Sequence, residues 1–153
     1  MPLNEKTLAA KIQEEHDHLK EEMKTISALL MKETTEESYP QWRLDLIWKL
    51  RDFNTELLKH FDLEEEGGFM RDVLKMAPQK INAVRELEDE HVRISESLDA
   101  VLKRLKNAEA RDETALAAIR NGVKDIMAMI LAHEAAEGEL IATTYYQDDG
   151  VGD

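Results

Sequence analysis

Apolar residues recur along this chain in alternating steps of four and three, the spacing that places side chains on one face of an α-helix. Four segments share this rhythm. Their seams are Leu8, Ile12, His16, Leu19, Met23, Ile26 and Leu30; Leu46, Leu50, Phe53, Leu57, His60 and Glu64; Val84, Leu87, His91, Ile94, Leu98, Val101 and Leu105; and Ile119, Val123, Ile126, Ile130, His133, Glu137 and Leu140. The pattern predicts four amphipathic helices.

The breaks between the segments are short and carry helix-ending residues. Thr34 to Pro40 separates the first two segments, Gly67 and Gly68 end the second, and the third begins beyond Pro78. Glycine and proline favour such ends because neither continues a helix readily. Long helices with short links predict an all-α fold, an antiparallel up-down-up-down four-helix bundle in which neighbouring seams pack together.

Composition supports this prediction and narrows the possible partners. The chain has 153 residues, the size of one domain, and a formal net charge of −13. That charge argues against binding to nucleic acid or to anionic membrane surfaces. With no signal pattern at its start and no apolar run long enough to cross a bilayer, the chain is predicted to be cytoplasmic. We expect the bundle to occupy residues 1–146, with residues 147–153 an acidic, flexible tail.

Six ionisable side chains interrupt the apolar seams. They are His16, His60, Glu64, His91, His133 and Glu137. Antiparallel order brings the four histidines to about the same depth, one from each helix. A single core histidine is usually satisfied by ordinary hydrogen bonds, but a whole layer of buried polar groups costs roughly 2–7 kcal/mol for each group left unpaired. Because the chain has no cysteine, imidazole and carboxylate would be the ligands, and they suit iron, manganese or zinc.

The two halves of the chain repeat this pattern. In each half a Glu-His pair lies on the first helix, and a histidine followed four residues later by a glutamate lies on the second. Residues four apart share a helix face, so His60 with Glu64 and His133 with Glu137 form two similar metal clamps. A helical hairpin used twice predicts a near two-fold axis, which would suit a binuclear centre.

The remaining polar residues near these positions are predicted to lie at the surface. His18 is about 200° around the helix from His16 and should point away from the seam. Glu65 and Glu66 extend a charge run that is expected to be solvated, with the alternative that one of them contacts a ligand from outside the layer. Glu15 and Glu90 recur before histidines in both halves, but a neighbour one residue away rarely shares a face, so we expect solvent exposure for both.

The sequence resembles the hemerythrin-like, or HHE cation-binding, family. The motifs that carry the resemblance are Glu15-His16-Asp17-His18-Leu19, His60-Phe61-Asp62-Leu63-Glu64-Glu65, Glu90-His91-Val92-Arg93-Ile94 and His133-Glu134-Ala135-Ala136-Glu137. The resemblance implies a bundle that holds two non-haem iron ions. It further implies that Glu64 and Glu137 bridge the irons and that the histidines are terminal ligands.

Two departures separate this chain from the oxygen-carrying members of the family that it resembles. The carriers have a further histidine one turn before the position of His91, where this chain has Leu87. Their last carboxylate follows its histidine by five residues, whereas Glu137 follows His133 by four. Both departures argue against reversible oxygen carriage.

The favoured hypothesis is a metal-dependent binding protein rather than an enzyme. Its di-iron centre would bind dioxygen, nitric oxide or peroxide for sensing, scavenging or storage of iron or oxygen. One alternative is a di-iron enzyme with peroxidase or ferroxidase activity, because fewer protein ligands leave more open coordination. The other is a zinc-binding or metal-free interaction bundle, in which the histidines form a satisfied polar layer.

Overall fold

A computed structural model describes residues 5–146, with side chains from Leu8 onwards. Within this range lie four long helices and one short one: α1 (Glu5–Met31), α2 (Tyr39–Glu65), α3 (Phe69–Met76), α4 (Ile81–Asn107) and α5 (Glu113–Ile141). A 3-10 turn, Pro78–Lys80, precedes α4, and a π-helical turn, Ala142–Tyr146, follows α5. The acidic tail predicted at residues 147–153 lies outside the described residues.

The long helices form the predicted antiparallel four-helix bundle. Helix α1 packs against α2 and α5, and α4 packs against the same two helices, so the four helices form a square. Every residue of the four predicted seams is buried. The alternating rhythm of the sequence therefore identified the core-facing side of each helix correctly.

Arginine side chains donate hydrogen bonds to backbone carbonyl groups at the C-terminal ends of neighbouring helices. The last carbonyl groups of a helix have no partner within it. Arg43 of α2 donates to the carbonyl oxygens of Leu105 and Lys106 at the end of α4, both at 2.7 Å. Arg120 of α5 donates in the same way to Leu30, at 3.1 Å, at the end of α1. These contacts connect the end of α4 to α2 and the end of α1 to α5.

Helix α3 was not predicted, because its eight residues are too short to show a clear period. Its Phe69, Met70 and Val73 are nonetheless buried against the end of the bundle. It starts at Gly68, whose φ of +95° lies in the left-handed region that favours glycine. The break at Gly67 and Gly68 is thus a turn that leads into α3. This short helix covers one end of the bundle.

Two apolar clusters lie on either side of the histidine layer. The larger contains the seam residues from Leu19, Leu57, Ile94 and Ile130 towards one end of the bundle. The smaller, at the α3 end, consists of Leu8, Ala9, Ile12, Phe69, Met70, Val73, Val84, Leu87, Leu140, Ile141 and Tyr145. The polar layer is therefore enclosed between two dry regions. No helix in residues 5–146 is both long enough and apolar enough to cross a membrane.

Candidate metal centre

The structure brings all six predicted seam residues into one buried layer. The contributing side chains are His16 of α1, His60 and Glu64 of α2, His91 of α4, and His133 and Glu137 of α5. Both glutamates are fully buried. The antiparallel arrangement therefore places one histidine from each long helix at the same depth, as expected.

Glu64 contacts histidines from two helices. Its Oε2 lies 3.1 Å from Nε2 of His60 on the same helix, and its Oε1 lies 2.8 Å from Nε2 of His91 on α4. The two oxygens of one carboxylate thus face different histidines.

Glu137 has the matching arrangement on the other side. Its Oε1 lies 2.7 Å from Nε2 of His16, and its Oε2 lies 2.9 Å from Nε2 of His133. The same oxygens are each 3.6 Å from a second histidine, His60 and His91 respectively. Glu137 therefore also spans the layer.

These contacts define two overlapping groups of four possible ligands. One group is His16, His60, Glu64 and Glu137, and the other is His91, His133, Glu64 and Glu137. In each group the ligand atoms lie within 4.8 Å of one another. We call them the His16/His60 half and the His91/His133 half. Because both halves use the same two glutamates, the layer could hold two adjacent cations with carboxylates between them.

Glu15 and Glu90 were expected to be solvent-exposed, and this expectation was wrong. Nδ1 of His60 donates a hydrogen bond to Oε1 of Glu15 at 2.8 Å, and Nδ1 of His133 donates to Oε1 of Glu90 at 2.6 Å. Each glutamate lies at a helix interface and contacts a histidine of the next helix rather than the one beside it in sequence. Such outer carboxylates hold a metal-binding imidazole in one orientation.

Glu65 has the same role towards a third histidine. Its Oε2 accepts a hydrogen bond from Nδ1 of His91, although much of the side chain is exposed. Glu66 is exposed as predicted. His18 is exposed too, and its Nε2 lies 3.3 Å from Oε1 of Glu22 on the same helix.

The inward-facing atoms of the layer fit a cation. Within residues 8–146, Nε2 of His60, His91 and His133 lacks a hydrogen bond of good geometry. The same holds for both oxygens of Glu64. Buried lone pairs that face one another are unfavourable unless a proton or a metal ion lies between them. With imidazole and carboxylate as donors, the layer suits iron, manganese or zinc.

When no metal is bound, protons can lie between the facing nitrogen and oxygen atoms of the layer. Burial lowers the pKa of His60, but the carboxylates of Glu137 and Glu64 outweigh burial and raise it to about 11. The same opposing effects raise the pKa of His91 to about 10. Burial also tends to raise the pKa of Glu137, but contacts with Glu64 and the histidines hold it well below its usual range. Burial and the neighbouring Glu137 carboxylate raise the pKa of Glu64. In the metal-free layer, protons therefore lie between the imidazoles and the carboxylates, and Glu64 takes up a proton more readily than Glu137 does.

Two apolar residues lie close to the His91/His133 half. The ring of Phe61 stacks on that of His91, with centroids 3.9 Å apart and planes 15° from parallel. Leu87, one turn before His91 on α4, is buried in the smaller apolar cluster. Neither residue can supply a ligand.

The family model described as the hemerythrin HHE cation binding domain matches residues 7–144, which is nearly the whole chain. No curated protein and no solved structure matches the chain significantly.

Proposed function

Since the chain belongs to the family of hemerythrin HHE cation-binding domains, we propose that its buried histidine and glutamate layer holds two iron ions. In this proposal Glu64 and Glu137 bridge the ions. His16 and His60 bind one ion, and His91 and His133 bind the other. The observation that supports it best is that both glutamates present one oxygen to each half.

We further propose that the centre binds dioxygen, nitric oxide or peroxide, for sensing, scavenging or storage. A pair of irons supplies electrons and an open coordination position for such a ligand. The chain contributes the environment: Glu15, Glu90 and Glu65 orient the imidazoles, and the two apolar clusters keep water from the layer.

A di-iron enzyme is the second candidate. The observation that favours it is Leu87, which is buried one turn before His91 and leaves each half with two histidines. Fewer protein ligands leave more open positions on iron, which favours turnover of peroxide or oxidation of added iron. Steady consumption of peroxide, or oxidation of more than two irons per chain, would support the enzyme. A single adduct that reverses on degassing would support the binding protein.

The experiment is to load the protein with ferrous iron without oxygen, remove excess metal, and measure metal content by elemental analysis. Optical spectra are then recorded after air exposure and after reduction. We expect two irons per chain and charge-transfer bands that bleach on reduction and return in air. No retained metal, or zinc alone with a featureless spectrum, would contradict the proposal and favour the interaction bundle.

A further inference from the structure

The proposed six ligands leave one buried carboxylate unexplained. Glu134 lies on α5, next to His133 in sequence, and only 5% of it is exposed. Neither of its carboxylate oxygens has a hydrogen-bond partner among the side chains and backbone of residues 8–146. A buried carboxylate without a partner is costly, and such groups in proteins are normally paired or coordinate a metal.

The surroundings of Glu134 connect it with the His16/His60 half. It lines a groove of about 460 Å³ between α1 and α5, together with His16, Asp17 and Lys20. Burial raises the pKa of the Glu134 carboxyl, and the strongest opposing charges belong to His16, Lys20 and His60. Two of these three neighbours are the histidines of the His16/His60 half.

The internal repeat shows what the other half has at this position. Phe61 follows His60 directly, as Glu134 follows His133. Phe61 packs its ring against His91 of the neighbouring hairpin. The pseudo-two-fold axis relates Phe61 and His91 to Glu134 and His16, and these last two residues line the same groove. One half therefore has an aromatic ring where the other has a carboxylate.

A second difference opens the groove beside Glu134. Glu65, five residues after His60, contacts His91, whereas the matching position after His133 is Gly138. A Cβ atom placed on Gly138 would have no heavy atom within 4 Å. The side chain of Glu134 therefore has free space next to it in which to change its rotamer.

We infer that Glu134 is an additional ligand of the ion in the His16/His60 half, so that the ion in the His91/His133 half keeps the more open coordination. This inference rests on the proposed di-iron centre. The carboxylate of Glu134 lies outside the two groups of ligand atoms that are within 4.8 Å of one another. Rotation about its three side-chain bonds would be needed for this carboxylate to bind the ion. The small oxidant then binds on the His91/His133 side, next to Phe61.

The test is an anaerobic titration with ⁵⁷Fe²⁺, followed by Mössbauer spectroscopy, on the wild type and on Glu134→Gln. The amide has nearly the same shape but is a much poorer iron ligand. We expect one of the two iron affinities to fall at least about tenfold, with a changed doublet for that iron only. Melting of the metal-free variant should show a fold as stable as the wild type, because no buried charge is left unpaired. Asp17→Asn, an exposed carboxylate in the same groove, is the control and should change neither affinity.

Other outcomes would overturn the inference in distinguishable ways. Two unchanged affinities and two unchanged doublets in Glu134→Gln would exclude Glu134 as a ligand while the di-iron centre stands. If Glu134→Gln binds normally and only Glu134→Ala is impaired, Glu134 acts as a hydrogen-bond partner of His16, since an amide oxygen can still accept from an imidazole. A wild type that binds no iron would contradict the proposed function itself.

Discussion

The His16/His60 half and the His91/His133 half are built from the same parts and yet differ on their outer sides. Each has two histidines and shares both glutamates, and each has an aliphatic residue one turn before its first histidine, Ile12 in one half and Leu87 in the other. The difference is in the residues that surround them. The His91/His133 half has an aromatic ring and an outer carboxylate at His91, while the His16/His60 half has a buried carboxylate and an open groove.

The internal repeat accounts for the features that the two halves share, and residues at a few individual positions account for the differences between them. The repeated hairpin produces two groups of four possible ligands with similar contacts. Substitutions at the positions of Phe61, Glu65, Glu134 and Gly138 then make the two positions unequal. In the proposed di-iron centre, unequal positions would allow one ion to be held for structure while the other binds a small oxidant.

The largest effect is expected from the parts that both halves share. Glu137→Ala removes a carboxylate that contacts histidines of both halves, so we expect the iron content to fall from two per chain towards none. Elemental analysis after anaerobic loading measures it. Glu139→Gln, an exposed neighbour on the same helix, should retain both ions. Full metal content in Glu137→Ala would show that the shared carboxylate is not needed.

Next in size are substitutions confined to one half. His16→Ala and His91→Ala each remove one imidazole and leave both glutamates in place, so we expect about one tightly bound iron per chain in each variant. Mössbauer spectra of the two variants should retain different doublets. Identical spectra from both variants would mean that the two positions are equivalent, and the comparison between the halves would fail.

The outer carboxylates should have a smaller effect that is similar in both halves. Glu15→Gln and Glu90→Gln each weaken the orientation of one imidazole, so we expect a loss of about 10–100-fold in affinity for one ion. Competition with a chelator of known affinity measures the change. Glu14→Gln, exposed and adjacent in sequence, is the control. If Glu14→Gln loses as much metal affinity as Glu15→Gln, the loss comes from the change in surface charge and not from the orientation of the imidazole.

Acidity should affect both halves together. The pKa values are raised to about 11 for His60 and about 10 for His91. Both imidazoles are therefore doubly protonated and positively charged at neutral pH. A metal ion must displace protons from them, so apparent affinity should rise as pH increases from 6 to 9, and binding should release protons. Calorimetry in buffers of different ionisation enthalpy measures the release. Affinity that is independent of pH would contradict this assignment of the protons.

The smallest expected effect is on the stability of the metal-free protein, and it comes from a substitution in the groove between α1 and α5. Gly138→Ala adds a methyl group where no heavy atom lies within 4 Å, so helix propensity should raise the free energy of unfolding by about 0.5–1 kcal/mol. Gly122→Ala on the same helix is the matched control, because its Cβ would lie 2.9 Å from Cγ2 of Val101. Urea denaturation of the metal-free proteins measures both. A gain in Gly122→Ala alone would contradict the packing described here.

The sequence by itself determined the four long helices and the layer of ionisable groups. Steps of four and three specify one face of a helix without reference to any other part of the chain, so every seam residue could be assigned to the core. The spacing from His60 to Glu64 and from His133 to Glu137 is local in the same sense. Those features depend on helix geometry, which a single segment carries on its own.

Only the tertiary structure decided which groups surround that layer. Glu15 and Glu90 contact histidines on adjacent helices, and these contacts depend on how two helices are rotated against each other. Glu134 lies one residue from a seam position on α5, and it is nevertheless buried beside residues of α1. Helix α3 is stabilised by its contacts with the bundle end rather than by its own length. In each case a partner distant in sequence supplies the free energy, so no local pattern could reveal it.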